Sequence, residues 1–329
     1  MNWEGYKLLI TGASGFIGSH LVEEMVRRGA QVKAFVHYNS RGDIGLLRYA
    51  DPQVLSEVEL YFGDLKDPDA VRKAMEGTRL VFHLGALIGI PYSYVHPYDV
   101  VQTNVMGTLN VLTAARQLEL ERVIHTSTSE VYGSARYVPI DEAHPLQGQS
   151  PYSASKIGAD KLAESFHLSF GMPITTVRPF NTYGPRQSTR AVIPTIIVQA
   201  LTQDVIKLGN LDTTRDFTYV VDTARGFIAA AETEATIGEV FNLGVGEEIS
   251  VGELANLIIK IVGRDVRIEC ESARMRPEGS EVNRLLSNNS KARQLTGWVP
   301  QFTFEQGLTQ TIKWISQHLD IYQAKRYAI

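Results

Sequence analysis

The sequence predicts an α/β fold: a doubly wound parallel sheet, with a smaller, partly discontinuous α/β lobe on its C-terminal side. Three observations carry this. Short aliphatic or β-branched runs alternate with amphipathic stretches through the first half. A glycine turn, "TGASGFIG", follows the first apolar run and opens the first amphipathic one. Beyond Pro179 the rhythm breaks into shorter pieces punctuated by Gly and Pro, at "YGPRQ", "MRPEGS" and "GWVP".

Taken in order, the expected strands are "KLLIT" (7–11), "QVKAFV" (31–36), "VELYFG" (58–63), "LVFHLG" (80–85), "RVIHTS" (122–127) and "ITTVRP" (174–179). Helical patterns lie between them at 16–28, 68–75, 98–117 and 153–170. A strand–helix–strand alternation makes neighbouring strands parallel and covers both faces of the sheet. Later, "VIKLG", "FTYV" and "EVFNLG" alternate with helices near 191–203, 220–232, 250–262 and 303–318. This predicts one domain over 1–180 and a second over 181–329, parts of which return to the first sheet.

Composition narrows the functional classes. The 329 residues are 44% hydrophobic and 21% charged, with a formal charge of −4, which argues against a nucleic-acid partner. The longest apolar stretch, "LVFHLGALIGI", is too short to span a membrane. The single cysteine, Cys270, forms no internal disulfide and fits a cytoplasmic location. With "KLLITGASG" starting within ten residues of Met1, no secretory leader is expected. No His/Cys/Asp cluster has metal-ligand spacing, so no metal is expected.

Gly12, Gly15 and Gly18 form a GxxGxxG turn between a strand and a helix. Such a turn brings backbone close to a pyrophosphate and points uncapped helix N–H groups at it. Phe16 and Ile17 lie in the same turn and are expected to touch the dinucleotide, as is Leu84 at the end of the fourth strand. Readers of NAD usually place an acid at the end of the next strand. Here "VHYNSRGD" puts His37 there and Arg41 beyond it, so NAD and NADP both stay open on local chemistry. Asp64 and Leu65, closing the third strand, are a candidate adenine edge.

In "SPYSASKIGADKLAESF", Tyr152 and Lys156 stand one helical turn apart. A tyrosine serves as a base near neutrality only if a positive charge stabilises its phenolate, and a lysine one turn away supplies one. Upstream, "HTSTSEVYG" groups Ser127, Thr128, Ser129 and Glu130 at the end of a strand. Two residues along a strand return to the same face, which would aim Thr128 and Glu130 together. His83 and His125 are expected to be packed beside strands, not to be catalytic.

These motifs, with "HLGA", "QTNVMGTLNVL", "RPFNTYGPRQ" and "RDFTYVVDTARGF", resemble the extended short-chain dehydrogenase/reductase family along essentially the whole chain. More narrowly, they resemble its nucleotide-sugar epimerases and dehydratases. The resemblance implies a Rossmann fold, a tightly held and internally recycled NAD, and a nucleoside-diphosphate sugar lying between the lobes, so that 181–329 is mainly the nucleotide-sugar-binding domain. It makes Thr128, Tyr152 and Lys156 the catalytic set that oxidises C4 of the sugar. Asn104 matches an asparagine of the active-site helix and is placed with the cofactor contacts. Asn181 and Arg215 match contacts to the sugar diphosphate, joined here by Ser129, Arg190 and Arg276, the last preferred over Arg274. The family's four-helix seam implies a homodimer through helices 98–117 and 153–170.

Glu130 decides the expected reaction. A 4,6-dehydratase must also remove the C5 proton and lose the C6 hydroxyl, which takes a carboxylate near those atoms. Where the thymidine-linked glucose dehydratases carry Thr-Asp-Glu, this chain has Thr128-Ser129-Glu130. That form resembles GDP-mannose 4,6-dehydratases, and it also occurs in UDP-glucuronate decarboxylases. The segment "ALIGIPYSYVHPYD" carries no Lys or Arg, which favours a neutral sugar. The run 125–166 most resembles 4,6-dehydratases of legionaminic-type (nonulosonic) acid pathways. The expected reaction is therefore 4,6-dehydration of UDP- or GDP-linked N-acetylglucosamine to a 4-keto-6-deoxy sugar. A nucleotide-sugar 4-epimerase is the alternative, followed by a uronate decarboxylase.

Overall fold

The six apolar runs of the first half become strands β1 (Lys7–Thr11), β2 (Gln31–His37), β3 (Glu59–Gly63), β4 (Leu80–His83), β5 (Arg122–Thr126) and β6 (Ile174–Pro179). A computed structural model describes residues 1–271 and 283–322 of the chain. After β6 come the short strands β7 (Asn181–Tyr183), β8 (Val205–Leu208), β9 (Thr214–Arg215) and β10 (Phe217–Tyr219). They are followed by β11 (Val240–Leu243), β12 (Ile249–Ser250), β13 (Arg267–Cys270) and β14 (Arg284–Leu285). Among the described residues, the main sheet has seven parallel strands in the order β11-β6-β5-β4-β1-β2-β3. The order reverses at β1, between β2 and β4, and ligands of such sheets bind beyond the carboxyl ends at that reversal. This is a Rossmann-type fold.

Both faces of the sheet are covered, which is why β4 and β6 are buried at every position instead of alternating. Helices Phe16–Val26 and Val220–Glu232 cover one face, with Leu8, Ile10, Leu21, Phe82 and Phe227 in its core. Helices Pro68–Met75, Gly107–Gln117 and Pro151–Phe170 cover the other, around Leu9, Val81, Val111 and Val123. A separate core binds helices Val192–Thr202, Val251–Val262 and Phe304–Gln317 through Ile196, Ile206, Leu254 and Leu308. The chain thus leaves the main sheet after β6 and returns to it at β11.

Two differences from the sequence expectation bear on the site. The pattern at 98–117 is one helical path but not one α-helix: a π turn, Gln102–Met106, joins Pro97–Val101 to Gly107–Gln117. The strand expected through Ser127 stops at Thr126, and Thr128 instead caps a 3-10 turn, Ser129–Tyr132, by accepting the Glu130 N–H at 3.2 Å. Thr128 and Glu130 are therefore not related by strand alternation. A side chain that bonds its own backbone competes with strand geometry, and Thr128 does so here.

Candidate active site

The glycine turn has the shape its spacing requires. Gly12 has φ +68°, and a Cβ there would lie 2.8 Å from the Gly85 nitrogen and the Leu84 carbonyl carbon at the end of β4. Gly18 is pressed against the Gly12 carbonyl oxygen, 2.1 Å from where its Cβ would stand. Gly15 meets only that oxygen, at 3.1 Å, and leaves its outer side open. It also starts helix Phe16–Val26 without any side-chain cap, so the first N–H groups of the helix remain for an anion. Phe16 and Ile17 are half-buried in the turn, and Leu84 is half-buried beside Gly85. This cradle fits a dinucleotide pyrophosphate.

At the ends of β2 and β3, the His37 imidazole lies 3.6 Å from Asp64 Oδ2, and the Lys66 ammonium lies 3.7 Å from the same oxygen. Leu65 is buried between Gly85 and Gly107, and its carbonyl accepts from Asn110. Arg41 is exposed, and its backbone N–H bonds to Asn39. The sequence-selected edge residues His37, Asp64 and Leu65 thus converge beside the glycine turn.

Helix Pro151–Phe170 carries Tyr152 and Lys156, and its start is fixed locally. Ser150 caps it reciprocally with Ser153, Pro151 occupies the first turn, and Gly171 ends it at φ +65°. Both catalytic candidates are buried, at 6% and 4% exposure. Burial pushes the Tyr152 phenol far above its usual range, the Glu130 charge adds to this, and a hydrogen bond with Thr128 works against it. Burial lowers the Lys156 ammonium to about 8, with the Asp160 carboxylate opposing. Its Nζ donates to the Thr126 carbonyl at 2.6 Å, so the ammonium is anchored on the end of β5. Ser129 is buried, whereas Glu130 is half-buried and its carboxylate has no hydrogen bond or ion pair among the described residues.

The π turn serves the same region. Thr108 Oγ1 donates to the Asn104 carbonyl at 2.6 Å and therefore accepts from His83 Nε2 at 3.0 Å. His83 Nδ1 then accepts from the Thr11 hydroxyl at 2.8 Å, while that hydroxyl accepts the Gly85 N–H. His83 is a neutral strut, as its position beside the strands suggested. Asn104 itself holds both backbone groups of Leu87 and donates to Ser155 at 2.9 Å. Its side chain is thereby committed to joining the 84–90 segment to the Tyr152 helix. The sequence reading had placed it on the cofactor.

In the second lobe Asn181, Arg190 and Arg215 line one cavity of about 290 Å³, together with Gln187, Lys207 and Asn210. Two arginines in one cavity suit a diphosphate. Arg215 is buried and donates to the Thr214 carbonyl at 2.8 Å. Arg190 also approaches the segment that the sequence reading found free of cations: its Nη1 lies 3.8 Å from the Cβ position of Gly89. The absence of Lys and Arg in 86–99 is thus offset from across the cleft. Arg274 and Arg276 lie outside the described residues.

The whole chain can be set beside known proteins on this geometry. The GDP-mannose 4,6 dehydratase family matches residues 9–311. The chain belongs to that family. A dTDP-glucose 4,6-dehydratase from an Actinoplanes species is 32% identical over 94% of this chain and 97% of its own. The structure of UDP-glucuronic acid 4-epimerase from Bacillus cereus, in complex with UDP-glucuronic acid and NAD, superposes with a TM-score of 0.86 at 30% identity, covering 95% of this chain and 99% of its own. The dTDP-glucose 4,6-dehydratase of Streptomyces venezuelae, solved with NAD bound, has a TM-score of 0.86 at 27% identity, covering 96% and 99%. These are extended short-chain dehydrogenase/reductase enzymes of nucleotide sugars, and relatives named as decarboxylases occur among them.

Within this dehydratase-family site, sequence reasoning missed a group behind the catalytic helix. Asp160 accepts from His125, Ser127 and Arg178, and Arg178 also donates to the Tyr132 hydroxyl at 3.0 Å. The signal was present: Tyr152, Lys156 and Asp160 continue one helix face at steps of four. His125 is neutral, its pKa lowered by burial, and it serves Asp160. No helix among the described residues is long and apolar enough to cross a membrane, and none of their His, Cys, Asp and Glu side chains cluster as metal ligands.

Proposed function

We propose that this protein is an NAD-dependent nucleotide-sugar 4,6-dehydratase. The observation that carries the reading is Glu130: a half-buried carboxylate without a partner among the described residues, close enough to Tyr152 for its charge to act on the phenol. A structural carboxylate at that depth would ordinarily be paired. An unpaired one beside a proton-transfer pair suits a base.

Gly12, Gly15, Gly18, Phe16 and Ile17 would hold the dinucleotide's pyrophosphate side, and His37, Asp64, Leu65 and Leu84 its adenosine side. NAD, when bound, would take the hydride from C4, return it to C6 as C5 is reprotonated after water has left, and bring a positive ring toward Tyr152. With that charge and Lys156 beside it, Tyr152 takes the proton of the C4 hydroxyl, and Thr128 orients the same hydroxyl. The resulting C4 ketone acidifies C5. Glu130 collects the C5 proton and is then the nearby acid for the departing C6 hydroxyl, because Ser129 is too weak an acid for that task. Asn181, Arg190 and Arg215 bind the diphosphate in the second lobe. The sugar is UDP- or GDP-linked N-acetylglucosamine in this reading. The subunits pair as a homodimer through 98–117 and 153–170, where Phe170, Leu168 and Met106 stand exposed.

A 4-epimerase is the second reading, because the Thr128–Tyr152–Lys156 set serves C4 oxidation alone as well, and the epimerase of Bacillus cereus shares the fold along its whole length. Mass spectrometry of products from UDP-, GDP- and dTDP-sugars separates the two. Dehydration removes the mass of one water from the product, and epimerisation leaves the mass unchanged.

A further inference from the structure

Asp160 is fully enclosed and yet charged. Its Oδ1 accepts from His125 Nε2 at 3.1 Å, and its Oδ2 accepts from Ser127 Oγ at 2.7 Å and from Arg178 at 3.1 and 3.3 Å. His125 Nδ1 has no partner, so the ring carries its proton on Nε2 and donates it to the carboxylate. A buried ion pair of this kind is weak evidence for stability, since well-packed apolar residues commonly do as well. Its placement is more informative. His125 and Ser127 flank Thr126, whose carbonyl takes the Lys156 ammonium at 2.6 Å. Asp160 also lies one helical turn beyond Lys156 on the same face.

We infer that Asp160 is a positioning residue for the Tyr152–Lys156 pair: by gripping β5 on both sides of Thr126 it fixes the carbonyl that receives the ammonium, and it sets a buried negative charge behind that ammonium. This rests on the reading of Tyr152 and Lys156 given above. The ionisable groups facing this pocket come from every element around it. They are His83 on β4, His125 on β5, Glu130 and Tyr132 in the turn, and Arg178 on β6. Both histidines are kept neutral by burial. Arg178 is spent on Asp160 and Tyr132, its guanidinium 5.1 Å above the Tyr132 ring. Asp160 is the anion set against Lys156, and both Asp160 and Glu130 act on Tyr152.

The test is a pH titration of ¹³Cε-labelled lysine by NMR on the protein as purified, with the Lys156 resonance identified by its loss in Lys156→Met. The wild-type midpoint is expected near 8. Asp160→Asn removes the charge but leaves Arg178 without its carboxylate, so the double variant D160N/R178Q and the single variant R178Q are measured beside it. The inference expects the Lys156 midpoint to fall by on the order of one pH unit in Asp160→Asn relative to the wild type, and in D160N/R178Q relative to R178Q, since each comparison removes only the Asp160 charge. Asp160→Glu should move it back toward the wild-type value. A midpoint unchanged in D160N/R178Q relative to R178Q overturns the inference and leaves Asp160 a packing residue. No sugar enters this titration, so a failed dehydratase reading, visible in product masses, does not decide its outcome.

Discussion

Lys156 reaches past its own helix and bonds, through Nζ, to the carbonyl of Thr126 at the end of β5, 2.6 Å away. The bond ties helix Pro151–Phe170 to the strand that leads into the Thr128–Glu130 turn. It also holds an ammonium in a buried place that lowers its pKa to about 8.

Tyr152→Phe should lower kcat by roughly 10²–10⁴-fold while KM for the sugar nucleotide stays within a few-fold, because the hydroxyl acts in the transition state. Lys156→Met should lose a similar factor in kcat. Steady-state kinetics on both variants check this. Near-normal turnover in Tyr152→Phe would remove the phenol from the chemistry.

Arg190→Gln should act in the opposite sense, on binding. Arg190 lines the cavity proposed for the diphosphate and is exposed in it, so its loss should raise KM by roughly 10–100-fold, a charged hydrogen bond's worth, with kcat largely kept. A fall in kcat at unchanged KM would place Arg190 elsewhere in the reaction.

Gly12→Ala tests the cofactor cradle. The new Cβ would meet the Leu84–Gly85 backbone at 2.8 Å in a residue with φ +68°, where an L side chain is strained by about 1–2 kcal/mol before any clash. The variant should melt at lower temperature and retain little dinucleotide on purification. Finding only NADP in the denatured wild type would overturn the choice of NAD, which the missing acid at His37 leaves without local support.

Stability should fall on mild acidification, partly through His20. Burial and the adjacent Arg186 lower its pKa from 6.5 to about 4. As pH drops below 6.5 the unfolded chain binds the proton first, so the stability present above that value is lost progressively toward pH 4, by up to a few kcal/mol. Buried His83 and His125 act in the same direction, while Asp216, raised by burial to about 6, opposes them as pH falls below that value. Urea unfolding of His20→Gln across this range should show a shallower slope than the wild type. An identical slope would contradict the assignment.

Much of this site was legible beforehand, because its glycines, Tyr152 and Lys156 obey local rules of spacing on a turn and a helix. That the sheet is parallel and covered on both faces followed from the alternation of strands and helices. What stayed hidden depends on partners distant in sequence. Asp160 acquires meaning only when β5 and β6 bring His125, Ser127 and Arg178 to it. Arg190 answers for a segment a hundred residues earlier. The turn at Thr128 was misread because a hydroxyl bonding its own backbone looks, in sequence, like a strand continuing. The π turn at Gln102–Met106 left no periodicity signal, since the apolar pattern runs on through it.

The central claim is that Glu130 takes the C5 proton, and one measurement addresses it most directly: deuterium uptake at C5, with product mass, in wild type and Glu130→Gln. Thr128, Tyr152 and Lys156 remain intact in that variant, so adding substrate should still produce the absorbance of reduced dinucleotide. The account predicts that the wild type exchanges C5 hydrogen with deuterated water and releases a product lighter by one water. The variant should stall after C4 oxidation and incorporate no deuterium at C5. Normal C5 exchange in Glu130→Gln would assign the base to another group. A wild type that inverts C4 with neither exchange nor loss of water would make the enzyme an epimerase.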